Sequence, residues 1–176
     1  PQEQMEQLVE LFQPLADKGL LMGLHAGNHE FRIVKSTGID VTKIMCRLLG
    51  VPFLGFSCFH LWYVGKQSYT AFSTHGASGA RLDYTKIKAA LDLYRFTDVE
   101  VVLMGHVHSL NHMTQLFRRV DRHRKMVESF KRHAVLTGSF LRYPESYAEM
   151  KLLNPTPLGV ALITLSGKEH RIHVSV

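Results

Sequence analysis

Cysteine is scarce: Cys46 and Cys58 are the only two in 176 residues, and their spacing matches no zinc knuckle. That excludes a disulfide framework and leaves two reduced core thiols, as expected of a cytoplasmic protein. Long apolar runs are missing too. None approaches the roughly eighteen residues that a membrane span needs, so no membrane partner is expected. The opening Pro1-Gln2-Glu3-Gln4 lacks the basic start and apolar stretch of a signal peptide. Repeats, linkers and low-complexity segments are absent as well. Acidic residues are in deficit, 15 against 21 Lys and Arg, which leaves a formal charge of +6. A positive balance favours polyanionic partners without specifying one. What is plentiful is apolar content, at 45% enough for the core of one domain, and histidine, of which there are eleven.

Met5, Leu8, Val9, Phe12 and Leu15-Ala16 recur at three- and four-residue steps and predict an amphipathic helix over about 3–17, ended by Lys18-Gly19. Leu20 to Leu24 reads as a buried strand entering a turn at Gly27-Asn28-His29-Glu30. After a loop through Ser36-Thr37-Gly38, Val41, Ile44, Met45, Leu48 and Leu49 trace a second helix, stopped by Gly50 and Pro52. Residues 53–75 read as β-structure with a hairpin turn near Gly65-Lys66-Gln67. Asp83 is a candidate N-cap for a third helix through Ile87, Ala90, Leu91 and Tyr94. Further strands are expected at about 99–104, 134–138, 158–165 and 170–176. The pattern is that of one α/β domain over residues 1–176.

The chemistry gathers where apolar runs meet turns. Val101 to Met104 leads into Gly105-His106-Val107-His108, and residues two apart on an extended chain share a side, about 7 Å apart. Imidazoles so placed at a strand end reach one metal ion or a close metal pair, although two ordinary surface histidines are the plainer reading of a lone pair. Gly27-Asn28-His29-Glu30 and Thr74-His75-Gly76 follow apolar runs in the same way. An Asn after Gly usually serves turn geometry. Beside His29 it also offers an oxygen to a metal, while His29 stays free to protonate a leaving group. Glu30 and His25 would support the ligands from behind. Arg81, after a run of small residues, reads either as a clamp on phosphate or as a solvated loop cation. Imidazole and amide ligands suit Mn, Fe or Zn better than Ca.

Gly27-Asn28-His29-Glu30, the Thr-His-Gly turn at His75 and Gly105-His106-Val107-His108 match in order and spacing the last three motifs of the calcineurin-like metallophosphoesterase family, which this chain resembles over nearly its whole length. The resemblance implies a four-layer αββα sandwich with two divalent ions at the strand ends, manganese foremost, with iron, zinc or magnesium as alternatives. It also implies hydrolysis of a phosphate ester by a metal-activated hydroxide. Carried over by position, Asn28, His75 and His106 hold one ion, His108 the other, and His29 is the catalytic proton donor. Two family motifs are missing. The chain has no Gly-Asp dipeptide, so it lacks G-D-x-x-D, and its only D-x-H string, Asp121-Arg122-His123, follows no buried strand and reads as coincidence. The expectation is therefore a sandwich without its first two strands, with a partner chain as one source of them.

Seven Lys or Arg lie between Arg118 and His133 (Arg118, Arg119, Arg122, Arg124, Lys125, Lys131, Arg132) against Asp121 and Glu128. Such a segment reads either as a guide for a nucleic acid backbone or as a solvated hairpin tip or helix face. Phe117 and Phe130 flank it at a spacing equally consistent with core. Two functions remain open: a metal-dependent phosphodiesterase or nuclease acting on nucleic acid or nucleotides, and a non-catalytic or split module of the same fold that binds nucleic acid or a partner chain.

Overall fold

In the computed structural model, which describes residues 2–176, the chain divides into two compact units, Pro1–Cys58 and Phe59–Val176. The larger is built around a mixed sheet. Its strands are β1 (Ser57–Val64), β2 (Gln67–Thr74), β3 (Val101–Met104), β4 (Leu110–Asp121), β5 (Met126–Ser139) and the short β6 (Gly159–Val160). They lie in the order β1-β2-β3-β5-β4, with β6 pairing to β5 off that path. β3 runs parallel to both β2 and β5 and is covered on both faces, which is why it reads as the uninterrupted apolar run Val-Val-Leu-Met. On one face Phe72, Val102, Met104, Ala134 and Leu136 pack against Ile87 and Ala90 of helix α4 (Asp83–Asp92). On the other, Ala71, Val101 and Val135 meet Ile163, Ile172 and Val174 from the hairpin of β7 (Leu162–Leu165) and β8 (Ile172–Ser175). The class is mixed α/β, as the sequence indicates.

Tyr69 fastens the second face. It is fully buried, and its hydroxyl reaches the carbonyls of Ser166, Glu169 and Arg171 at 2.7–3.2 Å. The β1–β2 turn is tied there as well. A Cβ on Gly65 would lie 2.7 Å from the Gly167 carbonyl, so only glycine allows that approach.

β4 is a strand that the sequence does not indicate, and β5 begins eight residues earlier than the expected 134–138. β3 covers only residues 133–136 of β5, and beyond them 115–121 and 126–132 pair solely with each other as a two-stranded ribbon. The basic segment is this ribbon. Asp121 sits at its turn, accepting from the Arg124 and His123 amides at 3.0 and 2.8 Å, so the D-x-H string is turn chemistry here.

In the smaller unit α1 (Gln2–Asp17), α2 (Asn28–Thr37) and α3 (Val41–Leu49) surround a thin core. α3 is the best specified: the Asp40 carboxylate caps the Lys43 amide at 3.0 Å, and Gly50 closes the helix at φ 68°. Cys46 is on the buried face of this helix, where burial pushes its thiol up, and Cys58 is half-buried.

Three expectations are corrected. Leu20–Leu24 is not a buried strand: Leu20 and Met22 are exposed, and only Leu24 makes a bridge, to Phe53. An apolar run becomes a buried strand only with neighbours on both edges, and among the described residues this one has a single bridge. Asn28-His29-Glu30 is the first turn of α2 rather than an isolated turn. Asp83 is the first helical residue of α4, whose N-cap is Leu82, because the Asp83 side chain is drawn instead to Lys86 and Ser109.

Candidate metal centre

The site in the larger unit starts from strand direction. β2 and β3 are parallel with Thr74 opposite Met104, so His75 and Gly105-His106 leave the sheet side by side at the same end. Loops at the C-terminal ends of parallel strands are where α/β folds place ligands. Two glycines let these loops touch. A Cβ on Gly76 (φ 84°) would lie 2.6 Å from Met104 Cγ and 3.2 Å from the Gly105 carbonyl, and one on Gly105 would lie 3.3 Å from the His75 carbonyl. The result is a pair of imidazoles in contact: His75 Nε2 lies 3.1 Å from His106 Nδ1, with the rings inclined at 66°.

The Gly-His-Val-His loop is held in an unusual shape. His106 and His108 both take left-handed backbone angles, φ 69° and 50°, which cost a non-glycine residue on the order of 1 kcal/mol each. Val107 between them is buried in the α4-side core, leaving both imidazoles half-buried at the surface. Two further anchors hold the loop. The Thr156 hydroxyl donates to the His108 carbonyl at 2.9 Å. The buried Ser109 accepts from Lys86 Nζ at 2.6 Å and donates to the Asp83 carboxylate at 3.1 Å. Sequence reasoning missed Lys86 and Ser109. The available signal was the position of Lys86 on the same stripe of α4 as Ala90, a cation where an apolar residue is expected.

One pair of imidazoles has the spacing of neighbouring metal ligands. Metal–imidazole bonds of about 2.1 Å put two neighbouring ligand nitrogens roughly 3.0–3.4 Å apart, depending on coordination number. The separation of His75 and His106 lies in that range. His108, two residues on, is the third imidazole of the same loop pair. Among the described residues, no three His, Cys, Asp or Glu side chains converge tightly enough to hold an ion by themselves.

The remaining expected residues sit as follows. Asn28 and His29 are the first two residues of α2, about 100° apart around the helix, so they face different directions. Asn28 is half-buried and His29 exposed. In that same smaller unit, His25 Nδ1 lies 3.0 Å from the Gly55 carbonyl, a local tie to its own loop. In the larger unit Arg81 is exposed, forms no ion pair among the described residues, and accepts at its carbonyl from Asn154 at 3.2 Å.

A second histidine pair went unnoticed in the sequence because it needs strand register. His112 and His133 stack at 14° with Nε2 and Nδ1 3.1 Å apart, and the Thr114 hydroxyl touches both nitrogens at 3.1 and 3.2 Å. Near-parallel rings point these nitrogens at one another, which is the geometry of a shared proton rather than a chelate. Burial first, then the neighbouring His112 and Lys131, push His133 down to about 4, and burial and His173 lower His112. Phe117 and Phe130 stack at 6.1 Å, and Arg132 lies 4.5 Å from the Phe117 ring and 5.1 Å from both Phe130 and Tyr94. Their spacing serves a cation–π stack on one ribbon face. Comparison with known proteins finds no matching family model, no matching curated protein and no matching solved structure.

Proposed function

We propose that the chain is a metal-dependent phosphoesterase of the calcineurin-like type, acting on phosphodiesters of nucleic acid or nucleotides. The observation that supports it most is the contact of His75 with His106 where two adjacent parallel strands end, with His108 on the same loop. The reading assigns His75 and His106 to one divalent ion and His108 to a second, manganese being the first choice, and keeps Asn28 as a ligand on its motif alone. When bound, the ions supply activation of water and neutralisation of the phosphoryl oxygens. His29, exposed on the first turn of α2, donates a proton to the departing oxygen. Arg81, without an ion-pair partner among the described residues, binds a phosphoryl oxygen. The four-layer sandwich and a partner chain that supplies the absent D-x-H and G-D-x-x-D strands belong to the same proposal.

The test is cleavage of bis(p-nitrophenyl) phosphate with manganese added, set against His29→Ala and His106→Ala. Metal-dependent turnover reduced at least about a hundredfold in both variants supports the assignment. Equal turnover in all three proteins rejects it. A non-catalytic nucleic-acid-binding module is the second reading, favoured by the charge of the β4–β5 ribbon, and it requires binding without turnover.

A further inference from the structure

The β4–β5 ribbon is electrostatically one-sided. Side chains alternate along a strand, and the pairing of Phe117 with Phe130 and Arg118 with Ser129 therefore assigns every residue to a face. One face carries Phe117, Arg119, Asp121, Glu128, Phe130 and Arg132. Both ribbon acids are here, and they neutralise its cations: Arg119 pairs with Glu128 at 3.2 Å, and Arg124 of the turn reaches Glu128 at 3.1 Å and Asp121 at 3.7 Å. Arg132, buried between the aromatic rings, pairs with Asp98. The opposite face carries Leu116, Arg118, Val120, Val127, Ser129 and Lys131, and no acid at all.

The cations left over fall on that second face or on the turn. Arg118, Arg122, Lys125 and Lys131 are exposed and form no ion pair among the described residues. From Arg118 to the strand end at Asp121 the chain advances about 10 Å, roughly three base-pair rises. On the same face Leu116, Val120 and Val127 are 66%, 70% and 50% exposed, so among the described residues nothing covers them. Seven cations against two acids give the segment 118–132 a net +5 out of the chain's +6. A projecting two-stranded ribbon has the width that a duplex major groove admits, and aliphatic side chains there meet base methyl groups while cations meet the flanking phosphates.

We infer that this face of the β4–β5 ribbon is a docking surface for duplex nucleic acid, with Arg118, Arg122, Lys125 and Lys131 contacting phosphates. Duplex nucleic acid as the substrate rests on the phosphodiesterase reading; binding by the ribbon does not.

The experiment is fluorescence anisotropy of a labelled 20-base-pair DNA duplex with the full chain in EDTA, repeated from low to physiological salt. Chelator removes turnover, so failure here and failure of the phosphoesterase assay are separate results. The quadruple variant Arg118→Gln, Arg122→Gln, Lys125→Gln, Lys131→Gln is compared with Lys35→Gln, Arg47→Gln, Lys66→Gln, Lys168→Gln, which removes the same charge from exposed positions elsewhere. The expected result is a log K against log salt slope that loses about three to four units in the ribbon variant and less than about one in the control. Equal losses in the two variants, or no duplex binding by the parent chain, overturn the inference. So does ribbon-dependent binding to phosphatidylserine vesicles with none to the duplex. Circular dichroism checks that the variants fold; if the ribbon variant does not, Arg122→Gln with Lys125→Gln at the turn replaces it, with an expected loss of about two units.

Discussion

His106 and His108 occupy left-handed backbone positions that favour glycine, although Gly105 is adjacent and either site would be relaxed by that substitution. What strain of this kind gains is direction. The turn buries Val107 and sets the His106 imidazole against His75 at the end of the sheet. The other histidine pair illustrates a different balance. His133 is held at about 4 by burial and by His112 and Lys131, with Glu100 opposing, and His112 is lowered by burial and His173. Both are therefore neutral at pH 7. Unfolding restores ordinary histidine affinity, near 6.5, so between pH 6.5 and about 4 the unfolded chain holds more protons than the folded one. Stability must then fall as pH drops through that window. Urea unfolding at pH 7 and pH 4.5 is expected to show a loss from His133 on the order of 1–2 kcal/mol. His133→Asn should lose less over the same interval; an unchanged loss places the acid sensitivity elsewhere.

At the scale of elements, α4 does more than cover the sheet. Its first two turns supply Asp83 and Lys86 to Ser109, which directly follows His108, so the helix fixes the exit of the histidine loop. Lys86 is 6% exposed, and its ammonium depends on that hydroxyl and the Asp83 carboxylate. Ser109→Ala is expected to cost about 1–3 kcal/mol in urea unfolding, because it leaves a buried charge short of a partner. A cost near zero would mean that the loop holds itself. Much of this level was legible in the sequence. α3, the β1–β2 hairpin, α4 and β3 follow from period, caps and glycines, and the His75 and Gly-His-Val-His turns stand out by their spacing. The ribbon was not legible, because both of its faces mix apolar and charged residues and no alternation marks a strand. Lys86 with Ser109, and His112 with His133, come together through packing and register, which a linear reading does not contain. Leu20–Leu24 misled for the opposite reason: its composition suits a buried strand, but pairing decides whether one forms.

Across the whole molecule, burial is uneven. The unit Phe59–Val176 holds the fully buried Tyr69, Val101, Val102, Val135 and Leu136, whereas α1 buries no residue and leaves Leu8, Leu11 and Leu15 exposed. Local opening follows such differences. Amide hydrogen exchange is therefore expected to be fast throughout α1 and slowest in β2, β3 and residues 133–136 of β5; uniform protection would show that α1 is covered in solution. The proposed metal centre stands on one contact, that of His75 with His106. Its most direct measurement is manganese binding by titration calorimetry to the parent chain and to His106→Gly, with urea unfolding of both. Glycine relieves the positive φ, so the two proteins should agree in stability to within about 1 kcal/mol. The expected result is at least tenfold weaker manganese binding by the variant. Equal affinity in the two proteins, or no binding to the parent chain, would contradict the assignment of His106 as a metal ligand.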